Sequence, residues 1–318
     1  MESLRVAVVG AGYFGALHAE KYAELANSDL QAICDIDETR ARSVAAKCAA
    51  EVTTDWRDLL GRVDAVSIAV PTSQHYAVAK DFLSRGIHVL LEKPICETLE
   101  EADSLAEISR DNGVVLQVGH LERFNPAVEG AAPYLTNPRF IESRRTSMFR
   151  TRSADINVVL DMMIHDLDLI FGIVDSPFVE IDAFGVSVLS EVADFANVQI
   201  RFANGCIATL TANRTSSTAE RTINVFQTHN LVAIDLMANK FSITRRVNAD
   251  GDETVPQIKT EERVFGGGSV LKRQIACFLD AVRSGNEPVV TAEDARKALE
   301  AALIINQKLE PRPIRAVA

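Results

Sequence analysis

Two groups of residues in this chain have the types and spacing that proton transfer requires. Asp161 and His165 lie four residues apart inside a run that is otherwise nearly all apolar, Val158 to Phe171, with Asp168 on the same stripe. Residues at that spacing on a helix share a face one turn apart, so the carboxylate can orient the imidazole and raise its basicity. A helix apolar on so many sides belongs mostly inside, where polar members are costly unless partnered; a core histidine satisfied by the carboxylate is the plainer use of the pair. The second group is Glu92-Lys93-Pro94, which closes the apolar run Ile87 to Leu91. Proline cannot continue a β-ladder and restricts the residue before it, so the lysine backbone is expected in a fixed turn, trans or cis. A solvated surface lysine is the plainer alternative. No second histidine or cysteine stands at ligand spacing beside His165, so no metal is expected.

Upstream of both groups, the strand-like run Leu4 to Val9 is followed by Gly10-Ala11-Gly12-Tyr13-Phe14-Gly15 and then by a stretch of helical composition, Ala16 to Leu25. Asp35 stands twenty residues past Gly15, at the end of a second strand-like run, Leu30 to Cys34. Strand, glycines, helix and carboxylate together form a dinucleotide fingerprint. Gly10 serves the tight turn, Gly12 lets a pyrophosphate approach, and Gly15 lets the helix pack close to the strand. Tyr13 and Phe14, inside the fingerprint, are expected cofactor contacts. Asp35 is suited to the adenosine ribose hydroxyls and would repel a 2′-phosphate, which favours NAD over NADP; Arg40 and Arg42 nearby weaken that preference.

These residues need elements to hold them. Strand-like runs Ala65 to Val70, Ile87 to Leu91 and Val114 to Val118 alternate with helical segments Gln74 to Ser84 and Leu99 to Asp111, the latter opening on a capping box, Thr98 and Glu101. Such alternation predicts a doubly wound parallel sheet, a Rossmann domain over residues 1–120. Lys93 then falls outside the carboxyl end of a strand, where open α/β sheets bind ligands. Thr72 and His75 occupy a similar edge, facing the nicotinamide ribose or simply starting the next helix. Glu92, beside Lys93, is counted with the cofactor contacts. Beyond 120 the pattern changes to one helix, Val158 to Phe171, among β-like runs: Arg139 to Phe149, Val179 to Val188, Ala196 to Phe202, Cys206 to Asn213, Arg221 to Phe226, Leu231 to Met237 and Phe241 to Val247. An α+β domain over 121–318 follows, built on a largely antiparallel open sheet and closed by a helix from Ala292 to Leu309.

The segment from Gln117 to Pro126 crosses the domain boundary, so His120, Arg123 and Asn125 are candidate substrate contacts or members of a solvated hinge. Arg144, Arg145, Arg150 and Arg152 precede the apolar helix and are either donors to a pyrophosphate-bearing substrate or one face of a strand. The 318 residues suffice for about two domains. A net charge of -11 argues against nucleic acid or an anionic membrane as partner. Five scattered cysteines with no C-x-x-C pair suit a reducing cytoplasm. No apolar stretch approaches membrane-spanning length.

The glycine turn, E-K-P at 92–94, D-x-x-x-H at 161–165 and F-L-D-A-V-R-S-G at 278–285 together resemble the Gfo/Idh/MocA family of NAD(P)-dependent sugar and polyol oxidoreductases, along essentially the whole chain. The resemblance implies Lys93, Asp161 and His165 as the catalytic set, with either His165 or Lys93 as the base. Within the family, residues 119–127 and 160–169 are similar to the branch of UDP-N-acetylglucosamine 3-dehydrogenases. The expected reaction is hydride transfer from a sugar carbon, C3 of a UDP-N-acetyl-hexosamine, to NAD. Oxidation of a free sugar, inositol or dihydrodiol is the alternative, and a non-catalytic NAD-binding sensor the alternative of another class. The sugar is expected over the open face of the second sheet, and covering so large a face suggests a homodimer or homotetramer.

Overall fold

A computed structural model describes residues 3–149, 156–249 and 252–309. Their contacts divide them into two units, one comprising the chain up to Phe124 with Gly268–Leu299, the other running from Asn125 to Gly267 and resuming at Glu300.

In the first unit, strands β1 (Leu4–Val9), β2 (Ser28–Cys34), β3 (Glu51–Thr53), β4 (Ala65–Ile68), β5 (His88–Leu91) and β6 (Leu116–Val118) form one sheet in the order β3-β2-β1-β4-β5-β6. Every pairing is parallel, as expected when strands alternate with helices. Those helices are α1 (Tyr13–Ala23), α2 (Glu38–Cys48), α3 (His75–Leu83) and α4 (Leu99–Asp111). Val6, Val8, Ala65, Val66, Val89 and Leu90 are fully buried because both faces of the sheet are covered. Starts of helices follow the capping chemistry: the Asp37 side chain accepts from the Arg40 N–H of α2, and the Thr98 hydroxyl accepts from the Glu101 N–H of α4 at 3.2 Å.

The second unit begins with a short helix α5 (Pro126–Ala131) and contains strands β7 (Pro138–Thr146), β8 (Phe178–Val186), β9 (Phe195–Phe202), β10 (Ile207–Asn213), β11 (Glu220–Gln227), β12 (Asn230–Asp235), β13 (Lys240–Ala249) and β14 (Asp252–Val264). They form a sheet in the order β14-β13-β12-β11-β7-β10-β9-β8, parallel only where β7 meets β10. Between β7 and β8 the chain makes a π turn, Val159–Met163, and continues as α6 (Ile164–Ile173).

Alternation along β7 puts Ile141, Ser143 and Arg145 on a buried face, while Glu142 and Arg144 lie exposed on the other. Arg145 reaches Asp166 of α6 at 2.7 Å, so the helix bearing His165 covers the buried face. A sugar over the open face would lie across the sheet from that imidazole. The expectation of a site there is therefore corrected: the open face carries Phe140 against Phe226, with Phe184 63% exposed, and His165 belongs to the opposite side.

Two helices complete the chain, α7 (Val270–Ser284) and α8 (Ala292–Leu309). Ile275, Phe278 and Leu279 of α7 enter the core of the first unit beside Val6, Val8, Tyr22, Ile33 and Leu90. Truncating a ring like that of Phe278 to alanine costs about 3–5 kcal/mol. The start of α8 is a reciprocal capping box, with the Asp294 N–H donating to the Thr291 hydroxyl at 3.1 Å and the Thr291 N–H donating to the Asp294 carboxylate at 3.3 Å. No helix among the described residues is long and apolar enough to cross a membrane.

Candidate active site

The first unit gathers its candidate residues at the carboxyl ends of β1, β2, β4 and β5. Sheet order reverses between β1 and β4, which opens a crevice there. Gly10 has φ +96, and a Cβ on it would meet the Ala69 carbonyl oxygen at 2.5 Å; a Cβ on Gly15 would collide with the Gly10 carbonyl oxygen. Turn and helix can therefore approach each other only as glycines. Around Gly12, in contrast, a Cβ would meet nothing within 4 Å, so its bareness serves open space in front of α1. Its N-cap, Gly12, makes no side-chain bond and no acidic residue stands in its first turn, so the positive end of the helix dipole faces the turn. The cradle fits the pyrophosphate of a dinucleotide.

Asp35, almost fully buried, accepts the Ala11 N–H at 2.7 Å with one oxygen and the Asp37 N–H at 2.9 Å with the other. It thus braces the glycine turn. Arg40 stands 3.6 Å from it, near enough to neutralise part of its charge. Tyr13 and Phe14 project outward beside the cradle. After β4, Thr72 is half-buried. His75 is buried, its ring nitrogens 2.8 Å from the Pro94 carbonyl and 3.0 Å from the Val70 carbonyl, so its ring lies between the turn after β5 and the turn after β4 and its N–H donates to one of the two carbonyls.

That turn after β5 carries Glu92 and Lys93, and the Lys93–Pro94 peptide is cis. The Lys93 backbone N–H donates to the Glu92 carboxylate at 3.3 Å, and the lysine side chain is half-buried. Burial alone would push the Glu92 carboxyl up, but the His18 hydrogen bond and the charge of Lys93 outweigh it and hold it below the ordinary glutamate value. His18 was invisible in the sequence reading. Its only signal was a polar residue on the inward side of α1, the helix that follows the glycines.

Along the segment after β6, His120 is buried, Arg123 half-buried and Asn125 buried. The Asn125 side chain accepts from the Ala127 N–H to cap α5 and donates to the Leu236 carbonyl at 2.9 Å, so its amide is engaged at both ends inside the second unit.

In the second unit, Asp161 sits within the π turn and His165 in the first turn of α6, both half-buried, whereas Asp166 and Asp168 are buried. The Asn157 side chain starts this helix by accepting the Val159 and Leu160 N–H groups, each at 3.1 Å. Arg145 grips Asp166 through two nitrogens, which helps to fix the rotation of the helix and so the direction of His165. Arg144 lies on the exposed face and pairs with Glu220 at 3.1 Å. Arg145 is thus a brace for α6, and the four arginines do not form one patch; Arg150 and Arg152 lie outside the described residues. Among the described residues no group of three or more His, Cys, Asp or Glu is arranged to hold a metal ion.

Comparison with known proteins agrees with this architecture. Residues 4–120 match the oxidoreductase family with an NAD-binding Rossmann fold, and residues 131–232 match the GFO/IDH/MocA C-terminal domain. The chain is 33% identical over 315 residues to UDP-N-acetylglucosamine 3-dehydrogenase of Acidithiobacillus ferrooxidans, covering 98% of each chain. A solved structure of that enzyme superposes with a TM-score of 0.91 over 98% of this chain and 99% of the other. Myo-inositol 2-dehydrogenase of Thermotoga maritima is 25% identical, covering 97% of each chain. With a glycine cradle for NAD on one sheet and the mostly antiparallel partner unit on the other, the chain belongs to the Gfo/Idh/MocA family of oxidoreductases.

Proposed function

We propose that this protein is an NAD-dependent dehydrogenase that oxidises a sugar CH–OH group, at C3 of a UDP-N-acetyl-hexosamine. The observation that carries the substrate reading is the match to a UDP-N-acetylglucosamine 3-dehydrogenase over 98% of both chains, site-bearing segments included. Dehydrogenase chemistry is supported independently by Lys93 at the carboxyl end of β5, on the crevice side of the sheet.

The cradle at Gly10, Gly12 and Gly15 would hold the pyrophosphate, with Tyr13 and Phe14 flanking it, Asp35 on the adenosine ribose and Thr72 and Glu92 lining the way to the ring. Bound there, NAD supplies the hydride acceptor. The reading requires Lys93 and the Asp161–His165 pair to face one sugar. His165 takes the proton of the reacting hydroxyl as the C–H bond breaks, and Asp161 stabilises the imidazolium that results. The Lys93 ammonium donates to the oxygen as it becomes a ketone, lowering the cost of the developing charge. In the competing assignment Lys93 itself takes the proton. His120 and Arg123 supply polar contacts to the sugar nucleotide, with Asn125 fixing the segment that bears them.

Phe184, Phe226 and Val186 leave apolar surface on the open face of the second sheet. A second copy covering that face gives a homodimer or a homotetramer, and a cytoplasmic location suits five cysteines that form no disulfide with one another. Sedimentation of Phe226→Lys checks the assembly: a lighter species is expected, and an unchanged mass rejects this face as the interface.

A screen of nucleotide sugars, free sugars and polyols with NAD and with NADP, following formation of reduced cofactor, tests the function. Turnover of UDP-N-acetylglucosamine with NAD is expected. Turnover confined to free polyols rejects the nucleotide-sugar substrate, and none with any CH–OH compound rejects the dehydrogenase.

A further inference from the structure

Beneath the Glu92-Lys93 turn lies a chain of buried polar side chains that the reaction does not itself use. Glu92 Oε1 is 3.0 Å from His18 Nε2; His18 Nδ1 is 3.0 Å from the Ser67 hydroxyl, and the Ser67 hydroxyl is 2.8 Å from that of Tyr22. His18, Ser67 and Tyr22 are fully buried, on α1 and in the middle of β4. One direction of donation satisfies every hydrogen: Tyr22 donates to Ser67, Ser67 donates to Nδ1, and Nε2–H donates to the carboxylate. In that direction the ring presents its Nε2–H to the Glu92 carboxylate.

The fold also makes room for the carboxylate. A Cβ on Gly119 would stand 2.9 to 3.1 Å from both oxygens and the carboxyl carbon of Glu92. His75 lies on the other side of the turn, a ring nitrogen 2.8 Å from the Pro94 carbonyl. Glu92 is thus held from α1 by His18, its second oxygen receives the Lys93 backbone N–H, and Gly119 leaves room for it.

We infer that His18, backed by Ser67 and Tyr22, is a positioning residue: it locks the Glu92 carboxylate in its ionised, backbone-bound geometry and thereby sets the place and charge state of the Lys93 amine. The inference rests on the reading of Lys93 as a reacting group. Without the His18 donor, a buried carboxylate loses its principal partner and takes up a proton more readily, and the neighbouring ammonium loses a counter-charge, so the amine becomes easier to deprotonate.

The test compares His18→Leu, His18→Gln, Ser67→Ala and Lys93→Met in the full-length protein. Two readouts are taken: kcat and KM with NAD and UDP-N-acetylglucosamine, and the pH dependence of Lys93 modification by an amine reagent, read by peptide mass spectrometry. For His18→Leu, kcat falls by about tenfold to a hundredfold, the span expected for losing a hydrogen bond to a charged group, while KM for NAD holds. The Lys93 modification profile moves to lower pH. His18→Gln, which keeps a donor near the Nε2 position, restores most of both, and Ser67→Ala gives the same shift in weaker form should the leucine variant not fold. If Lys93→Met abolishes turnover while the His18 and Ser67 variants keep kcat and the modification profile, the positioning role is wrong and the reading of Lys93 survives. If Lys93→Met turns over normally, that reading fails and the inference falls with it.

Discussion

At the end of β5 the lysine follows a strand paired on both sides, and the glutamate beside it is held by the His18 side chain and the Lys93 backbone N–H. His165, in contrast, stands two residues past the π turn, on a helix packed through Ile164, Leu167, Leu169 and Ile170 and pinned to the adjoining sheet by Arg145. Main-chain hydrogen bonds of a parallel sheet carry the first group, and side-chain packing with an added ion pair carries the second. The sheet fixes the backbone of the Glu92-Lys93 turn and leaves its side chains to neighbours such as His18, whereas α6 is fixed by its apolar packing together with the Arg145–Asp166 pair. π turns recur at functional sites because they rotate one stretch of helix relative to the next. Here Asp161 lies within the π turn and His165 just beyond it.

The sharpest way to break this comparison is to remove each reacting group. His165→Asn is expected to lower kcat by about a hundredfold to ten-thousandfold, the range for a lost general acid or base. Lys93→Met gives a loss of similar size. The pH–rate profiles separate the roles, because only the variant lacking the base loses the limb that rises with pH. Near-normal turnover of either variant removes that residue from proton transfer. A second break targets the brace. Arg145 and Asp166 are both buried, so Arg145→Met leaves an uncompensated carboxylate inside and costs about 3–5 kcal/mol. Thermal unfolding shows the loss, and adding Asp166→Leu recovers most of it. NAD binding by the first unit is untouched throughout. Equal stability of the single and double variants contradicts the brace.

The difference between the regions also decides what the sequence could reveal. Glycines, Asp35, Lys93 and the capping boxes at Thr98 and Thr291 are signals written within a few residues, so strand ends and helix starts of the first sheet were readable. The π turn was not, since apolar spacing from Val158 to Phe171 fits a π turn and an α-helix equally. β14 also escaped, as Asp252–Val264 is charged and contains a proline. It is an edge strand, the one place in a sheet where proline and repeated charge are tolerated, and only pairing with β13 defines it. Three-residue β3 is too short for any period. The His18–Ser67–Glu92 chain joins residues up to 74 positions apart, which no local pattern discloses. The side of the second sheet that faces His165 was misread for a related reason: alternation tells that a strand has two faces but not which one a helix will cover.

Cofactor choice sharpens the comparison within the first unit. Both oxygens of Asp35 are engaged by backbone N–H groups and Arg40 lies 3.6 Å away. Asp35→Ser removes the brace and the charge while leaving the arginine, so NAD binding should weaken and the preference over NADP should fall by about tenfold or more, as for loss of a charge-assisted hydrogen bond. Cofactor fluorescence titration measures both, and an unchanged preference shows that Asp35 serves the glycine turn alone.

The smallest expected effect concerns the start of the strand that ends at Lys93. His88 Nδ1 accepts the Val115 N–H at 2.9 Å, so a proton on that nitrogen would break the bond. Burial holds the imidazole below its ordinary value of 6.5, against the pull of Asp64. With the folded value below the unfolded one, the unfolded chain binds the proton more readily. The stabilisation is then fully present above 6.5 and is lost as pH falls through 6.5 toward the lower folded value. His88→Asn keeps an acceptor for Val115 but does not titrate. Relative to that variant, the wild-type melting temperature should drop between about pH 7.5 and about pH 5.5, while the kcat of the two proteins at neutral pH stays alike, because the perturbation enters at the opposite end of β5 from the amine. A parallel fall of both melting curves would show that the acid sensitivity of the sheet lies elsewhere.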